Sequence, residues 1–90
     1  MKIVLNKQSK KYLASLNSSE QIRIMEAVAK LELEPPEGDI EKLKGAKLKE
    51  KKYRLRIGEL RLLYKIKENA NKEEYITIYK IAPRGQVYKD

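Results

Sequence analysis

Ninety residues are enough for one small domain spanning 1–90 and no second, and a 41% hydrophobic share separates the chain from a disordered basic tail. With no cysteine and no histidine, disulfide frameworks, thiolate nucleophiles and imidazole-based zinc or acid–base chemistry are excluded, so any chemistry runs on Arg, Lys, Tyr, Ser, Thr and carboxylates. No apolar run approaches the ~20 residues of a membrane span, and Met1 to Asn6 is too short for a signal peptide, so a cytoplasmic protein is expected.

Lys2 to Asn6 is a short β-branched and aliphatic run that predicts a first strand. From Ser9, a candidate cap, the spacing turns helical, with Tyr12, Leu13 and Leu16 on one face until Asn17-Ser18-Ser19 interrupts it. Ser18 and Gln21 stand at capping-box spacing and open a second helix, whose stripe is read as Ile22, Met25, Val28 or Ala29, and Leu33, widened by Ile24 and Leu31. Met25 reads as core filler, and Pro35-Pro36 ends the helix. Glu37 to Ala46, with Gly38 and Gly45, reads as a loop with a turn near Ile40 to Leu43.

Lys52 to Ile66 reads as two strands joined at Gly58. Tyr53, Leu55 and Ile57 alternate with Lys52, Arg54 and Arg56, and then Leu60, Leu62, Tyr64 and Ile66 alternate with Glu59, Arg61, Leu63 and Lys65. Each strand thus offers one apolar row and one mainly charged row. A polar turn at Glu68 to Lys72 leads into Glu74 to Ile81, a strand apolar on both alternating sets and so expected to be covered on both sides, which Pro83 stops. Tyr53, Tyr64, Tyr75 and Tyr79 read as core or sheet-surface aromatics.

The charge is concentrated. The whole chain carries 21 Lys and Arg against 13 Asp and Glu, a net +8, and residues 41–67 alone hold eight lysines and three arginines against three glutamates, so the remainder is neutral. A basic patch on a balanced chain is the footprint of a polyanion partner, nucleic acid first and an acidic protein second. The element order predicts an α+β domain, β-α-α-β-β-β, with a helical hairpin packed on one face of a mainly antiparallel sheet of about four strands. Arg54, Arg56 and Arg61 then stand on the open face, with Arg54 or Arg56 close enough to Arg61 to repel it unless an anion bridges them. A surface ion pair of Arg56 with Glu59 or Glu50 is the alternative use of that side chain.

Lys42-Leu43-Lys44-Gly45, the run Tyr53-x-x-Arg56 to Gly58 to Arg61-x-x-Tyr64, and Arg84-Gly85-Gln86-Val87-Tyr88 together resemble the RelE/ParE superfamily of bacterial and archaeal toxins over nearly the whole chain. The resemblance implies a type II toxin–antitoxin toxin neutralised by a cognate antitoxin protein. In the RelE branch this is a metal-independent endoribonuclease that needs no cofactor and cuts mRNA in the ribosomal A site through attack of a ribose 2′-OH on the adjacent phosphate. A ParE-like inhibitor of DNA gyrase and a non-catalytic basic RNA-binding module are the alternatives. Carried over by motif, the catalytic positions are Arg54, Arg56, Arg61, Arg84 and Tyr88, and Lys47, Lys49, Lys52, Arg54 and Arg56 would bind RNA. Arg61 and Arg84 would clamp the phosphoryl oxygens and Arg54 and Arg56 would place the backbone. Tyr88 would stack on a base or pack the chain end. The proton acceptor stays open among Glu59, a Lys52 of lowered pKa, and ribosomal groups.

Overall fold

Two asparagines decide where the helices begin in the computed structural model, which describes residues 1–43 and 51–83. Asn6 precedes α1 (Lys7–Ala14) in extended conformation, and its side-chain oxygen accepts from the Ser9 backbone N–H at 2.9 Å. Asn17 does the same for the Glu20 N–H, also at 2.9 Å, ahead of α2 (Ser18–Ala29). Each satisfies an amide that the first helical turn leaves without a carbonyl. Both caps stand earlier than the sequence alone suggests. Ser9 is the capped residue and not the cap, and it is fully buried with its hydroxyl donating to the Ile78 carbonyl at 3.3 Å. The capping pair of α2 is Asn17 with Glu20, one step before Ser18 with Gln21. Gln21 instead donates to the carbonyls of Leu13 and Leu16 at 3.1 and 3.0 Å, fastening the two helices together.

The apolar stripe of α2 is also rotated from its expected position. Ile24, Val28 and Leu31 bury almost completely, the last from a short 3-10 turn (Lys30–Glu32) that ends before the two prolines. Ile22, Met25 and Leu33 remain 58, 44 and 45% exposed, so Met25 is not core filler. The helix is apolar along two overlapping stripes, and only one of them can face a sheet.

Among the described residues the sheet has five strands: β1 (Lys2–Leu5), β2 (Asp39–Lys42), β3 (Lys51–Ile57), β4 (Leu60–Glu68) and β5 (Glu74–Pro83), in the order β1-β5-β4-β3-β2. Only the β1–β5 pair is parallel. The architecture is thus the expected α+β one, a helical hairpin on a mainly antiparallel sheet. The additional strand is β2, from the stretch read as a loop. It has one inward apolar side chain, Ile40, too little alternation to register as a strand alone, and its structure comes from pairing with β3.

β5 lies between β1 and β4 in the sheet, but it is not covered equally on both sides as its two apolar sets suggested. Ile76, Ile78 and Ile81 are buried while Tyr75, Thr77 and Tyr79 are only partly buried, and a bulge explains why no single face could be assigned to it. Leu63 pairs with Lys80 but Tyr64 pairs with Ile78, which leaves Tyr79 as the extra residue. Ile76 and Ile78 therefore face the helices on even numbers, and Ile81 does so on an odd one. The main core joins these three to Ile24, Val28, Leu31, Leu55, Ile57, Leu62 and Tyr64.

Candidate nucleic-acid interface

Because Leu55, Ile57 and Leu62 point into the core, strand alternation sends Arg54, Arg56 and Arg61 to the opposite face of the sheet. Pairing register then orders that face in rows. One row runs Asp39, Arg56, Arg61, Ala82 across β2, β3, β4 and β5, and the next runs Glu41, Arg54, Leu63, Lys80. Arg56 and Arg61 are direct cross-strand partners, so two guanidinium groups stand side by side where β-sheet pairing normally disfavours like charges.

The three arginines have different surroundings. Arg54 Nη2 meets Glu41 Oε2 at 2.7 Å, with the arginine side chain 14% exposed. Arg56 Nε meets Asp39 Oδ2 at 3.5 Å and is about half exposed, so its partner comes from β2 and not from Glu59. Glu50 lies outside the described residues. Arg61 is only 4% exposed, and its Nη1 donates to the carbonyls of Gly58 and Leu60 at 3.2 and 3.1 Å. No carboxylate pairs with it among the described residues. Leu63 and Ala82, both buried on this face and packed by Leu43 and Tyr79, give Arg61 a low-dielectric surround. Lys65 stands 4.8 Å over the Tyr79 ring, and Lys52 lies on the same face of β3.

The tip of the hairpin is equally constrained. Gly58 has φ +58°, the left-handed conformation that a two-residue connection between paired Ile57 and Leu60 demands. A Cβ at that position would come within 2.5 Å of the Arg23 guanidinium from α2. Arg23 thus seats against the turn that also supplies Arg61 with a carbonyl.

The helix side of the same sheet is chemically different. Tyr64 is buried and stacks on Tyr53, with ring centroids 5.2 Å apart, and burial followed by the neighbouring Tyr53 pushes its phenol up to about 12. An apolar groove of about 480 Å³ opens there, bounded by Leu31, Leu33, Pro36, Ile40 and Ile66.

Of the residues singled out in the sequence, Arg54, Arg56 and Arg61 stand together on one face with Lys52, whereas Lys47, Lys49, Arg84 and Tyr88 lie outside the described residues. Glu59 sits exposed in the hairpin turn. Sequence reasoning missed Asp39 and Glu41. The signal that could have found them is the acid-apolar-acid spacing Asp39-Ile40-Glu41, which matches Arg54-Leu55-Arg56 in an antiparallel pair.

No family model matches the chain, and no curated protein matches it. Among solved structures it is similar to a chain in the crystal structure of the archaeal RelE-RelB complex from Pyrococcus horikoshii OT3. Identity is 34%, the match covers 94% of this chain and 96% of that one, and the TM-score is 0.73. No helix among the described residues is long and apolar enough to cross a membrane.

Proposed function

This chain belongs to the RelE toxin family, and from that premise we propose that it is the toxin of a type II toxin–antitoxin pair, cutting mRNA on the ribosome without a metal ion. The observation that carries the reading is Arg61. A cation buried to this degree with no carboxylate against it among the described residues is costly, and an anion placed against it recovers the lost solvation. The two carbonyl contacts fix one nitrogen of the guanidinium, and no hydrogen bond engages the other two among the described residues. A phosphoryl oxygen supported by Arg56 from the adjacent strand completes the set.

In this reading a ribose 2′-OH attacks the adjacent phosphorus in line. The 5′-oxygen of the next nucleotide leaves, and the product end is a 2′,3′-cyclic phosphate. Charge grows on the non-bridging oxygens in the transition state, where a preoriented guanidinium in an apolar surround is most effective. Arg61 and Arg84 carry that charge, Arg54 and Arg56 place the backbone, and Tyr88 stacks on a base. Lys47, Lys49 and Lys52 raise the encounter rate through long-range attraction. The partner that silences the toxin is an antitoxin, as RelB accompanies RelE in the archaeal complex, and the net charge of +8 favours one with acidic segments.

Mapping message 5′ ends on ribosomes translating in the presence of the purified chain tests the reading. Cuts within the A-site codon are expected, with Arg61→Ala slowing single-turnover cleavage on the order of 10²–10³-fold, the usual loss for one donor to a developing oxyanion. Intact message with DNA breaks would establish a gyrase inhibitor instead. Salt-sensitive RNA binding with no cleavage would establish a binding module.

A further inference from the structure

The carboxylates of β2 face the proposed RNA-contacting arginines one to one. Asp39 is in register with Arg56 and Glu41 with Arg54, and both pairs close as ion pairs, at 3.5 and 2.7 Å. In each pair the acid is the more exposed partner, at 56% for Asp39 and 60% for Glu41, against 48 and 14% for the arginines. The half-exposed Asp39–Arg56 pair contributes little to folding, whereas Glu41 offsets the charge of a largely buried Arg54, so stability accounts for at most one of two acids in consecutive rows of a face that otherwise gathers positive charge. Their position supplies another reason. Among the described strands β2 is the outermost, beside β3, so each acid draws its arginine along the row towards that edge. For Arg56 this is away from Arg61, its like-charged partner on the other side.

We propose that Asp39 and Glu41 are positioning residues of the RNA site: they hold Arg56 and Arg54 in a fixed orientation across β3, and their negative charge confines the RNA backbone to the strip over β3, β4 and β5. This rests on the ribonuclease reading above and adds residues to it. Holding a long cation in place before substrate arrives matters for rate, because misplacement by about 1 Å costs up to about 100-fold in a reaction that depends on alignment. The same carboxylates oppose the phosphates electrostatically within a Debye length of roughly 10 Å at 0.1 M salt. Removing them therefore separates two quantities that a structural role would leave linked. Binding tightens while turnover slows.

The test compares the full-length wild type with Glu41→Gln, Asp39→Asn, the double variant and Glu41→Asp. Readouts are single-turnover cleavage on programmed ribosomes, affinity for a short single-stranded RNA, thermal midpoint, and the NMR signal of the Arg54 Nε–H. Glu41→Gln and Asp39→Asn are expected to slow cleavage about 10-fold each by loss of alignment, and to bind RNA about 2- to 5-fold tighter through loss of a repelling charge. The thermal midpoint should stay put in Asp39→Asn and fall in Glu41→Gln, which takes the carboxylate from the largely buried Arg54, and in Glu41→Gln the Arg54 signal should broaden or average. Glu41→Asp keeps the charge but shortens the reach, so it should slow cleavage without tightening binding. Cleavage at wild-type rates in Glu41→Gln and Asp39→Asn, or an Arg54 signal unchanged by Glu41→Gln, overturns the proposal. Should the wild type itself leave message intact, the ribonuclease reading fails first. The Arg54 signal and the RNA affinities then decide separately whether the carboxylates hold the arginines.

Discussion

Leu62 and Arg61 are neighbours in the chain and opposites in purpose. Leu62 is fully buried between β4 and the helices, in a cluster made almost wholly of Ile, Leu and Val. Arg61 is nearly as buried on the other face, yet what surrounds it is a second guanidinium, two backbone carbonyls and a small apolar patch. The helix side binds the protein to itself and leaves few polar groups unmet. The open side carries Arg61, which no carboxylate meets among the described residues. Burial alone therefore does not distinguish a residue that holds the fold from one that awaits a ligand; the chemistry of the neighbours does.

The sharpest way to break that contrast is to truncate each neighbour in turn. Leu62→Ala should lose about 2–5 kcal/mol, a large share of the roughly 5–15 kcal/mol that holds a domain this size, and urea unfolding would register it. Arg61→Ala should stay within about 1–2 kcal/mol of wild type, since loss of its carbonyl hydrogen bonds is offset by removal of a buried charge. If Arg61→Ala unfolds the protein as Leu62→Ala does, the two faces are not functionally separate.

Gly58 joins the faces, and its replacement comes next in size. Alanine there must adopt φ near +58° and displace the Arg23 guanidinium. Gly58→Ala should cost about 1–2 kcal/mol in denaturant unfolding, with amide exchange accelerated first at the β3–β4 turn.

How much of this is legible in the sequence follows the same division. Strands β3 and β4 can be read because their two faces differ in chemistry, so Leu55, Ile57 and Leu62 separate from Arg54, Arg56 and Arg61 by simple alternation. β2 cannot be, because four residues with one apolar side chain have no period, and its identity lies in a partner strand reached across the segment 44–50. That omission hides Asp39 and Glu41 and makes Glu59 or Glu50 look like the partner of Arg56. The helix starts slip for a smaller reason: Asn6, Ser9, Asn17 and Ser18 are all competent caps, and the choice among them depends on tertiary contacts such as Ser9 with Ile78. Met25 and Ile24 are likewise both apolar, and only the sheet selects between them.

Tyr64 offers a titration that reads the helix side alone. Its phenol is raised in the folded state to about 12 from the ordinary value of 10.0, so the unfolded chain ionises first as pH rises. The stability this residue contributes is complete below pH 10 and is lost progressively between pH 10 and 12. Tyr64→Phe should therefore flatten the fall in unfolding free energy over that interval, while the stability at neutral pH changes little. A wild type whose stability is level from pH 10 to 12 would contradict the burial assigned to this ring.

Arg56→Ala should disturb the fold least and still report on the open face. The side chain is half exposed and its ion pair with Asp39 is long at 3.5 Å, so folding should change by less than about 1 kcal/mol. Its removal also relieves repulsion with Arg61, which pushes the small remainder towards neutrality. RNA binding should respond differently, since taking away one cation that neutralises a phosphate lowers the slope of log K against log salt, by about 0.7 for a single strand. A weaker complex with a shallower salt slope and an unchanged unfolding midpoint would place Arg56 against the RNA backbone. If the slope is untouched, Arg56 serves Asp39 and the surface only, and the open face has one fewer ligand for phosphate than its pairing register offers.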